Sequence, residues 1–475
     1  MSASEPLDIA LLDRFAAIVG EKHVVRDPKD MQPYLKEPRD KFKGITPLVL
    51  KPATVAEISA ILRLATQTHT AIVPQGGNTG HVGGQVPDAS GRQIIMSLAR
   101  LNRIRSVDPV GNLLVAESGC ILKTVQDAAA SQGRLFPLSL GSEGTCQIGG
   151  NLSTNAGGTA VLAYGNTREL CLGLEVVLPT GEVLDDLRRV KKDNTGYDLK
   201  DLFIGAEGTL GVITAAVLKL FPQPRGKAVA YAGLKSPEDA LKLFGRAQDR
   251  AGSSLTGFEL MPRLGLEFVV KHIQGGVDPL AAPYEWYVLL DISSSRSEED
   301  AQATMEAILG DAYEAGLIGD AAIASSKAQE QTFWMMRESM SEAQKPEGGS
   351  IKHDISVPVA SIPAFLNEAT AAVRQMIPSV RPVPFGHMGD GNIHFNFTQP
   401  VGMDKEAFLE RWADVNARVH EIVRSYHGSI SAEHGIGQLK RDELLATKSP
   451  MAIELMRQIK SAVDPASIMN PGKVI

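Results

Sequence analysis

The sequence predicts an α+β protein of two large units, and three observations predict it. The chain has 475 residues, about three domains' worth at roughly 150 residues each, or two large domains. As far as residue 222, short strand-like runs alternate with helical ones and glycine-rich turns. After Phe221-Pro222-Gln223-Pro224 the glycine-dense loops stop. Hydrophobic residues make up 43% and charged residues 22%, which supplies a packed core and excludes global disorder or a low-complexity fibre.

The elements follow in order. Residues 8–66 read as a helix and then a mixed segment, with a short strand over 46–50. Thr54 caps the next helix with Glu57 three residues on, and Val55, Ile58, Ile61, Leu62 and Ala65 recur at helical spacing. Strands are expected over 71–74, 93–96, 113–117, 174–178 and 212–221. Further on, 286–290 reads as a strand with Trp286 and Tyr287 in the core, 299–309 as a helix, 333–341 as an amphipathic helix and 351–358 as a strand. Asp185, Asp186, Arg188 and Arg189 read as a solvated loop. The boundaries expected are 1–222, 223–420 and 421–475. There are no internal repeats.

Net charge is 48 − 55 = −7, without the basic stripe that nucleic acid requires. An anionic substrate must therefore meet a few locally placed cations. The three cysteines, Cys120, Cys146 and Cys171, form no CxxC or zinc-finger spacing, as in a reducing compartment. The start lacks a basic segment followed by an apolar run, and no stretch reaches the ~18 apolar residues of a membrane helix. A cytoplasmic location is expected.

Glycine, 45 residues, is clustered. The first cluster, Gly76-Gly77-Asn78-Thr79-Gly80-His81-Val82-Gly83-Gly84, follows the 71–74 strand and holds five glycines in nine residues. Successive glycines let the backbone approach a ligand and aim N–H groups at an anion, and Asn78 and Thr79 add side-chain donors. The second runs from Gly141 to Gly158 with six glycines in 18 residues and Ser, Thr and Asn between them. It suits a large, flat, polar-edged ligand held by backbone groups. The third, Gly205-Ala206-Glu207-Gly208-Thr209-Leu210-Gly211-Val212-Ile213-Thr214, feeds a long strand. GxGxxG and GxxxxGK[ST] are both absent, which excludes a Rossmann dinucleotide fingerprint and a P-loop.

These loops, in this order and spacing, resemble the FAD-binding domain of the vanillyl-alcohol oxidase/p-cresol methylhydroxylase superfamily. The resemblance implies a two-subdomain FAD-binding domain of the p-cresol methylhydroxylase (PCMH) type, an α/β cap domain for substrate, and a C-terminal segment returning to the FAD domain. It implies that Pro74, Gly76, Gly77, Asn78, Thr79 and Gly80 hold the pyrophosphate. Gly141, Ser142, Thr145, Gly149, Gly150, Asn151, Ser153, Thr154, Asn155, Gly157 and Gly158 would run past the ribityl chain and isoalloxazine. Glu207, Gly208, Gly211 and Ile213 would lie near the adenine. Asn470, in the matching C-terminal segment, is a further cofactor candidate. Covalent members often carry His where Asn78 stands, so dissociable, non-covalent FAD is expected.

Six of the ten histidines lie in the last 123 residues. In Phe385-Gly386-His387-Met388-Gly389-Asp390-Gly391-Asn392-Ile393-His394 the turn chemistry of Gly389-Asp390-Gly391-Asn392 lets His387 and His394 face each other from adjoining strands. Two imidazoles need further ligands to hold a metal. Ser431-Ala432-Glu433-His434-Gly435 offers a carboxylate and, beside it, a base. A His₂Glu set leaves an open position on Zn²⁺ suited to an α-hydroxy carboxylate. His420 and His427 read as structural residues on the preceding helical stretch. Among cations, Arg337 is planar and bidentate, Ser341 lies one turn on, and Lys352 can point inward from its strand.

The same motifs resemble FAD-linked D-2-hydroxy-acid dehydrogenases: flavin-type D-lactate dehydrogenases, glycolate oxidase catalytic subunits and D-2-hydroxyglutarate dehydrogenases. The resemblance implies zinc, or another divalent metal such as Mn²⁺ or Co²⁺, on His387, His394 and Glu433. It makes His434 the base, and places substrate on Arg337, Ser341 (where the family has Thr), Lys352 and Asn396. Asn396 favours the hydroxyglutarate branch. The expectation is oxidation of D-2-hydroxyglutarate to 2-oxoglutarate by metal-assisted hydride transfer to flavin N5. The alternatives are D-lactate, D-malate or glycolate as substrate, a non-catalytic flavin subunit, or a flavin-dependent transferase. The implied partners are a small 2-hydroxy (di)carboxylate, an electron acceptor such as an electron-transfer flavoprotein or a quinone, and a second copy in a homodimer.

Overall fold

A computed structural model describes residues 6–475. The chain divides into two compact units: Met1–Gly158, Gly165–Pro222 and Glu433–Ile475 form the first, Thr159–Tyr164 and Gln223–Ala432 the second. No helix among the described residues is long and apolar enough to cross a membrane.

The first unit holds two main sheets. In the four-stranded one, Ala71–Gln75 runs parallel to Gln93–Ser97, with Val73 opposite Ile95. The helix Val55–Thr68 covers it with Ile58, Ile61, Leu62 and Ala65 buried. Its cap is reciprocal: Thr54 Oγ1 accepts from the Glu57 N–H, and Glu57 Oε2 accepts from the Ala53 N–H. The other sheet is antiparallel and five-stranded, ordered Ile104–Asp108, Leu113–Glu117, Val212–Lys219, Cys171–Val177 and Val183–Asp186. Asp185 and Asp186, expected in a loop, belong to this last, edge strand.

The C-terminal segment is tied into the first sheet. Met469 bridges Ile72 in parallel, and the Asn470 N–H donates to the Ile72 carbonyl at 2.8 Å. Asp464, fully buried, makes this possible. It accepts from the N–H groups of Ile468 (3.1 Å) and Met469 (2.8 Å) and from Lys460 Nζ.

The second unit is one antiparallel sheet buried on both faces. Its path is Asp320–Ile323, Gly226–Leu234, Trp286–Ser294, Leu255–Pro262, Arg381–His387, Asn392–Thr398 and Ser350–Ile351, with Asp354–Ser356 also on Asn392–Thr398. Alternation divides the side chains between the faces. Ile393, Phe395 and Phe397 pack with the helices Pro237–Ala251, Glu298–Glu314, Ile362–Met376 and Trp412–Ser425. Val383 and Phe385 pack on the other face with Arg263–His272, Lys327–Glu338 and Met340–Ala343. The unit runs to Ala432 rather than 420, because Val415, Val419, Ile422 and Val423 belong to its core and Ser429 bridges Ser356. His427 lies past the helix end, in the left-handed region (φ 57°).

Two expected elements are broken. The helix over 333–341 ends at Glu338, and a short second one spans Met340–Ala343. The strand over 351–358 is interrupted at Lys352 and His353, which releases Lys352 from the ladder.

Asp464→Ala removes the acceptor of two buried N–H groups and the counter-charge of Lys460. It should lower stability by ~2–4 kcal/mol in chemical denaturation; an unchanged midpoint would show that the C-terminal tie does not depend on it.

Candidate flavin cleft and metal site

In the first unit a cleft is walled by the three glycine clusters. Pro74, Gly76, Gly77, Asn78, Thr79 and Gly80 come from the first, Gly149, Gly150, Asn151, Ser153 and Thr154 from the helix Ile148–Ser153 and its cap, and Glu207, Gly208, Gly211 and Ile213 from the third. Gly77 permits the close approach of the first two: a Cβ there would lie 2.1 Å from the Thr145 carbonyl oxygen. Asn78 differs from expectation in its donor alone. Its Nδ2 donates to the Pro33 and Lys36 carbonyls at 2.8 Å each, so the amide donor holds the loop. Its Oδ1 and the Oε1 of Gln147 are buried without a protein donor among the described residues. Both are acceptors on the cleft wall, suited to a ligand rich in hydroxyls, so the wall fits FAD.

Gly141, Ser142, Thr145, Asn155, Gly157, Gly158 and Asn470 do not line this cleft. Local packing accounts for several of them. The Ser142 carbonyl closes a turn with the Thr145 N–H, and Asn155 Oδ1 accepts from the Arg168 N–H at 2.9 Å. A Cβ on Gly158 would lie 1.9 Å from the Ser139 oxygen. Asn470 acts from behind, its Nδ2 donating to the carbonyls of Gly84 (2.9 Å) and Glu207 (2.8 Å). Val82, Gly84, Gln147 and Val212, from within the clusters, also line the cleft without having been singled out as ligand residues, and Gln75, Gln85 and Leu98 line it from outside the clusters. Gln147 sits inside the second cluster and was within reach of it; Leu98 carries no signal in the sequence.

His434 stands on the same wall. Glu207 holds its loop, with Oε1 accepting from the Ile436 N–H (2.7 Å) and Oε2 from the Gly437 N–H (2.8 Å). Burial pushes the Glu207 carboxyl up to about 7 against these two donors. The His434 ring meets that of His81 edge-on, with centroids 5.2 Å apart.

In the second unit His387 ends one strand and His394 lies opposite Phe385 on the next. The turn between them closes through the Asp390 and Gly391 N–H groups on the His387 carbonyl, both at 3.2 Å. The two rings lie 5.7 Å apart. Glu433 is one peptide bond beyond Ala432, whose N–H reaches the Asp354 carbonyl. His387, His394 and Glu433 each offer one ligand atom, all within 4.8 Å of one another. Two imidazoles and one carboxylate fit a divalent ion.

Glu259 was not foreseen. It lies opposite His387, 1% exposed, in the strand Leu255–Pro262. Its Oε1 meets His387 Nδ1 at 2.7 Å, and its Oε2 accepts from Arg337 Nε at 2.6 Å. Burial would raise its carboxyl, but the Arg337 guanidinium and then the His387 imidazole outweigh this and hold it at about 2. The Arg337 guanidinium lies over the Phe385 ring at 4.9 Å, and its Nη2 is buried without an acceptor among the described residues. Lys352 Nζ donates to Ser341 Oγ at 2.7 Å and to the Ser341 carbonyl at 3.0 Å. Asn396 Nδ2 donates to Oε1 of Gln344, a fully buried residue the sequence did not point to. A lone charge inside an apolar strand was the available signal for Glu259; Gln344 gave none.

Residues 223–474 match the family FAD linked oxidases, C-terminal domain, and residues 46–186 match the FAD binding domain family. The chain is similar to the mitochondrial D-2-hydroxyglutarate dehydrogenase of Arabidopsis thaliana (37% identity, covering 99% of this chain and 82% of that protein). It is equally similar to that of Bos taurus (37%, 98% and 83%). In fold it is similar to p-cresol methylhydroxylase with substrate bound (TM-score 0.74, 16% identity, covering 98% of this chain and 96% of that one). Both relatives are named mitochondrial, which overturns the cytoplasmic expectation. Cysteine usage separates reducing from oxidising compartments, not one reducing compartment from another. With both units matched and more than a third of its residues shared with full-length relatives, the chain belongs to the FAD-linked oxidase family that includes the D-2-hydroxyglutarate dehydrogenases, and it is an FAD-dependent oxidoreductase.

Proposed function

We propose that the chain oxidises a D-2-hydroxy acid, D-2-hydroxyglutarate in preference, to the 2-oxo acid. The observation that carries this is a single peptide bond: Glu433 belongs to the His387/His394/Glu433 group, and the next residue, His434, stands on the wall of the flavin cleft. The two chemistries are tied by chain connectivity. The relatives named for D-2-hydroxyglutarate support the substrate.

His387, His394 and Glu433 would hold a divalent metal, zinc in preference. The three glycine clusters would hold FAD without a covalent bond, since Asn78 offers no such link. Bound FAD would supply a two-electron oxidant, and a bound metal would supply a Lewis acid toward the substrate. The remaining roles fall to side chains. Arg337 has its Nε held by Glu259 and its Nη2 left to receive a carboxylate oxygen. Lys352, aimed by Ser341, adds a second cation, and Asn396 a polar contact steadied by Gln344. His434 takes the hydroxyl proton on a ring nitrogen, with its loop fixed by Glu207. An external acceptor, such as an electron-transfer flavoprotein or a quinone, then takes the electrons.

Three variants test the parts. His434→Ala should keep its flavin and lose about 10²–10⁴ in turnover, as for a missing general base; wild-type turnover would remove His434 from the mechanism. Lys352→Met should cut kcat/KM for D-2-hydroxyglutarate by roughly 10–100-fold, the worth of a lost charge-assisted hydrogen bond, and leave D-lactate nearly unaffected. Equal losses would show that Lys352 does not read the second carboxylate. Gly77→Ala should purify colourless, whereas Gly144→Ala, whose Cβ meets nothing within 4 Å, should stay yellow. A yellow Gly77→Ala protein would contradict the cleft assignment.

A further inference from the structure

Glu259 stands between two residues that the sequence assigns to different tasks. On one side is His387, of the metal group, and on the other is Arg337, of the carboxylate site. Both contacts are short, at 2.7 and 2.6 Å, and the carboxylate is 1% exposed. The strand pairing makes them specific: Leu255–Pro262 and Arg381–His387 share only the register pairs Glu259↔His387 and Leu260↔Gly386.

A carboxylate is an acceptor only. With one oxygen on Arg337 Nε, the other requires a proton on His387 Nδ1. An imidazole protonated at Nδ1 has its lone pair on Nε2, the form a metal needs. The same carboxylate fixes Arg337 in the plane lying over Phe385, so its buried Nη2 keeps one direction.

We propose that Glu259 is a positioning residue that sets the tautomer of His387, making Nε2 the metal ligand, while aiming the Arg337 fork at the substrate carboxylate. This rests on the reading of His387 as a metal ligand.

A neutral amide at this position acts oppositely. In Glu259→Gln the amide oxygen accepts from Arg337 and the NH₂ faces His387. Nδ1 must then become the acceptor, which moves the proton to Nε2 and blocks the ligand lone pair. The test uses the full-length, flavin-loaded protein stripped of metal, with zinc affinity read by competition against a chromophoric chelator. Glu259→Gln should bind zinc about 10–100-fold more weakly, as loss of an outer-shell partner does, with unchanged flavin content. Glu368→Gln removes an exposed carboxylate of the same unit, one that accepts from Tyr426, and should bind as wild type.

Because Glu259→Gln leaves Arg337 buried beside a neutral group, the double variant Glu259→Leu/Arg337→Met provides a second arm. It removes both charges with side chains of similar size, and it should show the same loss of zinc affinity. Wild-type zinc affinity in either folded variant overturns the proposal. A wild-type protein that holds no zinc at all overturns the metal reading beneath it, and the proposal with it.

Discussion

Glu259 and Arg337 are buried charges that persist only because they are paired, and the polar face of the second unit is arranged around that requirement. Removing one partner of such a pair costs about 3–5 kcal/mol. The pair therefore fixes its surroundings. Arg337 cannot leave the Phe385 ring, His387 cannot turn its Nδ1 elsewhere, and the strand seam at Glu259↔His387 cannot slip by a residue without reversing which face each side chain occupies. His394, Asn396 and Thr398 alternate with Ile393, Phe395 and Phe397 along the next strand. One register thus delivers both a close-packed core and a row of polar groups.

The first unit meets a different constraint. A cleft made of glycine-rich backbone has few side chains to hold it closed. The C-terminal segment supplies the ties. Asp464 gathers Lys460, Ile468 and Met469, Met469 joins the strand of Ile72, and Asn470 secures the carbonyls of Gly84 and Glu207. Glu207 in turn clamps Ile436 and Gly437, and so places His434. A segment distant in sequence thereby orders the loops that would meet the cofactor.

Much of this is legible in the sequence where the signal is local. The glycine clusters, the Thr54–Glu57 cap and the turn between His387 and His394 each depend on neighbouring residues. What is not legible depends on distant ones. Glu259 finds its partners 78 and 128 residues away. Asn78 turns its amide to carbonyls at Pro33 and Lys36, more than forty residues earlier. No periodicity announces that the ladder breaks at Lys352 so that its ammonium can reach Ser341. The contact of Asn155 with the Arg168 N–H and the close approach of Gly158 to the Ser139 carbonyl are likewise set by the fold and not by local composition.

The most direct test is an anaerobic flavin spectrum of the purified protein, titrated with D- and then L-2-hydroxyglutarate, before and after treatment with a chelator. The ~450 nm band of oxidised flavin should bleach with the D form alone, stop bleaching once metal is removed, and bleach again when zinc returns. A yellow protein that neither enantiomer bleaches would contradict the assigned substrate, and bleaching that survives the chelator would contradict the metal.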